Sequence, residues 1–333
     1  MTTTPPPLTP PPFDPELAAA LAVMGELAPT TLTPEILGFA RAAEEAGMEG
    51  PFPLLTNEAM RRDGVFEVEE RSVPGPEGAP EISLLIVRPA RAHGPRPVVF
   101  HIHGGGMVLG NNRLGMELAL DWAAELGLVV VSVEYRRAPE HPHPAPVEDC
   151  YAGLLWTAEN AKEIGADPDR IILAGGSAGG GLSAALALMA RDRNGPRAIG
   201  QVLLYPMLDD RNDTPSAHQM VGLGIWDMQA NETGWNALLG DARGTADVSP
   251  YAAPARAEDL SGLPPAYIDC GSAETFRDED IAFASRIWRA GGQAELHVWP
   301  GGFHAFDGLA PQAALSQDAR NARLRWLHRL LGE

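Results

Sequence analysis

The chain has 333 residues, of which 45% are hydrophobic, enough for one large domain or two modest ones with a substantial core. Its net charge is −19, and Lys162 is the only lysine among 25 basic residues. A cationic footprint for nucleic acid or anionic lipid is therefore missing. Schiff-base or phosphate-loop lysine chemistry would have to use Lys162, which no glycine-rich loop precedes. The two cysteines, Cys150 and Cys270, fall in apolar segments and read as buried, unpaired thiols rather than a disulfide scaffold. No basic residue precedes Arg41 and no run approaches the ~20 apolar residues of a membrane span, so a soluble, cytoplasmic protein is expected.

Residues 1–15 are rich in Thr and Pro and read as a flexible tail. Apolar residues at helical spacing follow over Pro15–Met24 and Pro34–Ala46, the second opened by Thr33-Pro34. The pattern changes after Gly64. Strand-like runs occupy Val65–Val73, Glu81–Arg88, Pro97–Ile102, Leu126–Tyr135, Ile171–Ala174, Gln201–Tyr205, Ala266–Cys270 and Ala294–Trp299. Helical runs alternate with them at Leu114–Glu125, Val147–Ile164, Leu182–Arg191, Asp278–Ala290 and Gln312–Leu331. This alternation predicts an α/β domain whose mostly parallel, eight-stranded sheet is covered by helices on both faces. The stretch Met207–Pro250 breaks it and reads as an insertion of short helices.

Ser177 lies in Gly175-Gly176-Ser177-Ala178-Gly179, between a β-branched run and an Ala/Leu-rich helical run. A strand–turn–helix with serine at the apex pushes the hydroxyl off the sheet edge and aims the next N–H groups at whatever it attacks. His103-Gly104-Gly105-Gly106 directly follows another strand, and successive glycines leave backbone N–H groups open to a developing oxyanion. No register of these glycines makes a dinucleotide fingerprint, because position 109 is leucine. A serine nucleophile needs a base, and of nine histidines His304 alone follows the last strand on a Gly-Gly loop. His101 with His103, and His141 with His143, have a spacing that could suit zinc, but no cysteine or carboxylate cluster joins them, so no metal is expected.

Four blocks in order carry a family resemblance: His103–Gly106, Tyr135–Pro142, Gly175–Gly179, and Arg277-Asp278-Glu279 followed by Gly301–Phe306. Together they resemble the hormone-sensitive-lipase family of α/β-hydrolase carboxylesterases. The resemblance implies oxyanion donors at the N–H groups of Gly105, Gly106 and Ala178. It also implies a helical cap made of residues 16–60 and 207–250 over a catalytic domain of 61–206 and 251–333. The triad acid falls three residues before Arg277, where this chain carries Glu274 in place of the more usual aspartate. Asp278 is the rival, though with Glu279 and Asp280 it is better explained as negative charge in a helix's first turn.

Met107, next to the glycines, is a pocket candidate, and Trp226 and Met228 of the insertion are weaker ones. Glu134, Arg136, Glu140 and His141 read as an ion-pair network fixing the loop after a strand. The run Asp209–Asp213 reads as a solvated loop into the cap. The expectation is a cofactor-free serine hydrolase acting on short- to medium-chain acyl esters. Ser177 is its nucleophile, His304 its base and Glu274 its acid, with a small-molecule ester as partner and a homodimer as the assembly considered. An amidase, deacetylase or lactonase with the same triad, or a non-catalytic ligand-binding protein, are the alternatives.

Overall fold

The structure is a computed structural model, and it describes residues 8–27, 31–46, 54–91 and 94–332. Residues 1–7 of the expected tail and 47–53 of the expected cap lie outside this set. The elements run in the order α1 (Pro15–Leu27), α2 (Pro34–Glu45), α3 (Asn57–Arg61), β1 (Phe66–Val73), β2 (Ile82–Pro89), β3 (Arg96–Ile102), α4 (Met116–Leu126) and β4 (Val129–Glu134). Then come α5 (Ala145–Glu159), β5 (Ala166–Gly176), α6 (Ala178–Asp192), β6 (Ala198–Leu204), α7 (Pro215–Gln219) and α8 (Met228–Leu239). The chain closes with β7 (Ala266–Gly271), α9 (Arg277–Arg289), β8 (Ala294–Trp299), α10 (Phe306–Leu309) and α11 (Ala314–Leu331).

All eight expected strands form one sheet in the order β1-β2-β4-β3-β5-β6-β7-β8. The β1–β2 and β2–β4 pairs are antiparallel and the others parallel. Side chains alternate across each strand, which explains the unbroken apolar runs: both faces are dry. Val98, Phe100, Ile102, Val131 and Leu173 pack on one side with Leu154 of α5 and Leu186 of α6. Val99, Val130, Ile172 and Val202 face the other side with Trp122 of α4 and Trp326 of α11.

Two boundaries differ from the sequence reading for a clear local reason. β4 starts at Val129 because Leu126 closes α4 and Gly127 caps it at φ 62°. α6 begins at Ala178 instead of Leu182, taking in Gly179–Gly181 despite their poor helix propensity. Those glycines are forced by close packing: a Cβ on Gly179 would lie 2.0 Å from the Ile102 carbonyl oxygen, and one on Gly181 2.1 Å from that of Met207. The short helices α3 and α10 carry too few residues to show a period.

Part of the expected flexible tail is tied down. The Asp14 N–H donates to the Gly301 carbonyl at 3.0 Å, the Phe13 ring meets Phe303 edge-on at 6.2 Å, and the Thr9 carbonyl accepts from Gln219. Leu21 of α1 and Ile225 of the 207–250 insertion pack on one apolar cluster, the segment leading into α2 bonds to that insertion, and α2 itself reaches the loop after β4. Thr31 donates to Asp227 at 3.1 Å and Thr233 to the Leu32 carbonyl at 2.8 Å, while Arg137 pairs with Glu44 at 2.9 Å. Cys150 and Cys270 are buried and unpaired. No helix among the described residues is long and apolar enough to cross a membrane.

Candidate active site

The parallel strands deliver their C-terminal ends to one edge, and the chemistry collects there. Ser177 joins β5 to α6 at φ 58°, ψ −124°, a backbone region costly for a residue with a Cβ. Its N–H donates to the Leu204 carbonyl at 2.9 Å, and its own carbonyl accepts from Gly181 and Met207 at 3.0 Å each. Gly175 has no room for a side chain, since a Cβ there would meet the Gly179 backbone at 2.4 Å, and one on Gly176 would press on the Tyr205 ring at 3.1 Å.

Ser177 Oγ–H donates to His304 Nε2 at 3.0 Å, and His304 Nδ1–H donates to Glu274 Oε2 at 2.7 Å. Glu274 is 1% exposed, and its other oxygen accepts the Gly271 N–H at 2.5 Å. Edges and faces of two aromatic rings hold the imidazole, Tyr205 at 4.9 Å and Phe276 at 5.1 Å between centroids. Asp278, the rival acid, is engaged elsewhere: it accepts the Ser216 N–H at 2.8 Å and pairs with Arg277.

The glycine loop lies beside the serine. A Cβ on Gly104 would approach Ser177 Cβ to 3.4 Å, and Gly105 and Gly106 adopt φ 101° and 62°. Among the described residues no acceptor faces the N–H of Gly105 or Gly106. The loop is locked from behind. Tyr135 O–H donates to the His103 carbonyl at 3.0 Å, and the His103 ring stacks on Tyr135 at 4.1 Å and donates from Nδ1 to the Gly104 carbonyl.

His101 is bonded through Nδ1 to Ser132 Oγ at 2.8 Å. Burial pushes the pKa of His101 down to about 4 and that of His103 to about 3, so both are neutral in the fold. Among the described residues no group of three or more His, Cys, Asp or Glu side chains could hold a metal ion. The unfolded chain binds protons at these histidines from about pH 6.5 downward, whereas the native state resists until about pH 4 and pH 3. Stability is therefore expected to fall as pH drops below about 6.5, with His101 contributing on the order of 2 kcal/mol of that loss by pH 4.5. Urea unfolding at pH 7 and pH 4.5 checks this, with His101→Asn losing less than the parent chain.

Of the pocket candidates, Trp226 lies directly over the glycine loop, where a Cβ on Gly106 would meet its ring at 2.3 Å. Met228 is half-buried in the first turn of α8. Met107 is 1% exposed and packs in the main core, so its side chain supports the loop from inside instead of lining open space. A cavity of about 530 Å³, lined by Leu173, Arg191, Arg197 and Pro264 among others, lies toward the strands' opposite ends, away from Ser177.

Two charged clusters differ from expectation. Glu134, Arg136, Glu140 and His141 do not pair with one another. Arg136 forks onto buried Asp149 at 2.8 and 2.7 Å, Glu140 pairs with Arg41, and Glu134 accepts the Asn112 N–H. Asp209, Asp210 and Asn212 are buried, not solvated: Asp210 binds Arg256 at 2.7 and 3.0 Å and the Gly244 N–H at 2.7 Å. Those partners are too distant in sequence for spacing to reveal them.

The strand order, the serine turn and the late histidine coincide with a family match: residues 99–308 fit the family described as the α/β hydrolase fold. The chain belongs to that family, in its hormone-sensitive-lipase-like branch. This α/β-hydrolase is 36% identical over 268 residues to carboxylesterase NlhH of Mycobacterium tuberculosis, covering 80% of this chain and 83% of that one. It is 34% identical over 280 residues to esterase LipI of the same organism, covering 79% and 87%. Among solved structures it is similar to a bacterial heroin esterase, with TM-score 0.84 and 38% identity over 96% of this chain and 98% of that one.

Sequence reasoning missed Tyr205, Phe276 and a buried cluster of Arg323, Asp269 and Asp307. A signal for the cluster existed. Arg323 occupies the apolar stripe Ala319, Ala322, Trp326, Leu327 of α11, and Asp269 interrupts an otherwise apolar strand.

Proposed function

We propose that this α/β-hydrolase is a serine carboxylesterase acting on short- to medium-chain acyl esters. The observation that carries the reading is the file Ser177–His304–Glu274, with bonds of 3.0 and 2.7 Å between its members. Ser177 Oγ attacks the ester carbonyl carbon while its proton passes to His304 Nε2. The carbonyl oxygen becomes an oxyanion, taken up by the N–H groups of Gly105, Gly106 and Ala178. As the tetrahedral intermediate collapses, the carbon–oxygen bond to the alcohol breaks and His304 gives its proton to the departing alkoxide. Water then attacks the acyl-enzyme with His304 again as base, releasing the acid and restoring Ser177. Glu274 holds the imidazole in the tautomer that presents Nε2 to serine and stabilises the imidazolium.

Helices α1 and α2 with the 207–250 insertion act as the cap, and Trp226 over Gly106 limits the acyl chain. Curated relatives named carboxylesterase and esterase over some four-fifths of this chain support the ester as substrate class. Two buried, unpaired cysteines support a reducing, cytoplasmic location. Initial rates on p-nitrophenyl esters from acetate to palmitate test the reading. Turnover peaking at or below medium chains is expected. A peak at palmitate would refute the chain-length reading, and turnover confined to amides or lactones would refute the ester.

A further inference from the structure

We propose that Arg323 is a positioning residue for the reaction, acting through Asp307 and Tyr205 on the base His304. The inference rests on the reading of Ser177, Glu274 and His304 as the triad. Arg323 is fully buried in α11. Its Nε and Nη2 donate to the two oxygens of Asp269 at 2.8 and 3.2 Å, and its Nη1 donates to Asp307 Oδ2. Asp269 lies in β7, just ahead of the turn that carries Glu274, and also accepts from Trp299 Nε1 at 3.2 Å. Its carbonyl accepts the Tyr205 N–H at 2.6 Å. Asp307 sits three residues after His304, in the short helix α10. The guanidinium also lies 6.0 Å from the centroid of Tyr205, the ring that abuts both His304 and Gly176.

One cation thus ties together the end of β6, the strand before the acid, and the helix after the base. Each of these supports one triad member, and they meet nowhere else through a single side chain described above. Burying a charge with two carboxylates is a poor route to stability, because apolar residues of similar volume usually do as well. What the fork supplies is fixed geometry: a guanidinium offers donors at set angles, which a hydrophobic contact does not. Burial raises the Asp269 carboxyl while Arg323 opposes it, and the Asp307 carboxyl is held below its usual range by Arg323. Asp307 therefore stays ionised and bound to the cation. An error of about 1 Å in base position can cost on the order of a hundredfold in rate, so the support of His304 is a sensitive point.

The test compares Asp307→Asn and Arg323→Lys with the parent chain and repeats both in a His304→Ala background, reading kcat and KM on p-nitrophenyl butyrate. Asp307→Asn leaves the Arg323–Asp269 pair intact, so it provides a folded variant even where changes at Arg323 do not. The expected result is a fall in kcat of about tenfold or more in each variant, with KM within about twofold. In the His304→Ala background the same changes should alter the residual rate by less than about twofold, since the group they position is gone. An unchanged kcat, or the same loss with and without His304, would overturn the proposal and leave Arg323 a structural residue. A His304→Ala chain retaining the parent kcat would instead overturn the triad reading, and this inference with it.

Discussion

Replacing Ser177 with alanine is expected to lower kcat by about 10⁵-fold on any ester the enzyme turns over, leaving the fold and substrate binding intact. The size follows from chemistry: the hydroxyl is the atom that forms the acyl bond, and no neighbouring group can take its place. Ser177 is 8% exposed at the apex of a turn where Gly175 and Gly179 exclude even a methyl group. Alanine preserves the φ 58° backbone no worse than serine does, so thermal unfolding should stay close to that of the parent. The loss should appear in kcat with little change in KM, as expected when a group acting in the transition state is removed.

Glu274→Gln is expected to lower kcat by about 10³- to 10⁴-fold, whereas Asp278→Asn should keep it within about twofold. The first effect is one of proton placement. Glu274 Oε1 is committed to the Gly271 N–H at 2.5 Å, so a glutamine oxygen must take that position and turn its amide NH2 toward His304. Nδ1 can then only accept, the ring proton moves to Nε2, and Nε2 no longer receives the proton of Ser177. Asp278 makes no such contact; it binds the Ser216 N–H and Arg277 on the outer side of α9. Steady-state kinetics of the two variants on one short-chain ester discriminates them. The opposite pattern would transfer the acid's role to Asp278.

The sheet and the serine turn were legible from the chain because both are governed by local rules. β-branched runs alternating with helical runs specify a doubly covered sheet, and glycine on both sides of Ser177 specifies a tight apex. His304 was legible from its place on the loop after the last strand. Glu274 needed the family resemblance, because a glutamate in Ala273-Glu274-Thr275 looks like any surface carboxylate until His304 is brought to it from 30 residues away. The buried Asp210–Arg256 and Arg323–Asp269–Asp307 groups were not anticipated, since their partners are joined only by tertiary packing. The anchoring of the tail's last residues was hidden for a similar reason. Its composition is that of a loose segment, yet Phe13 and Asp14 find partners at Phe303 and Gly301, on the very loop that carries His304.

The central claim is that Ser177 is the nucleophile, and covalent capture tests it most directly. The protein would be treated with diethyl p-nitrophenyl phosphate, with release of p-nitrophenol followed and the labelled peptide located by mass spectrometry. One equivalent of p-nitrophenol, loss of esterase activity in step with it, and the phosphoryl group on Ser177 are the predicted results. Inactivation with the label on another residue, or full activity after Ser177 is labelled, would contradict the account.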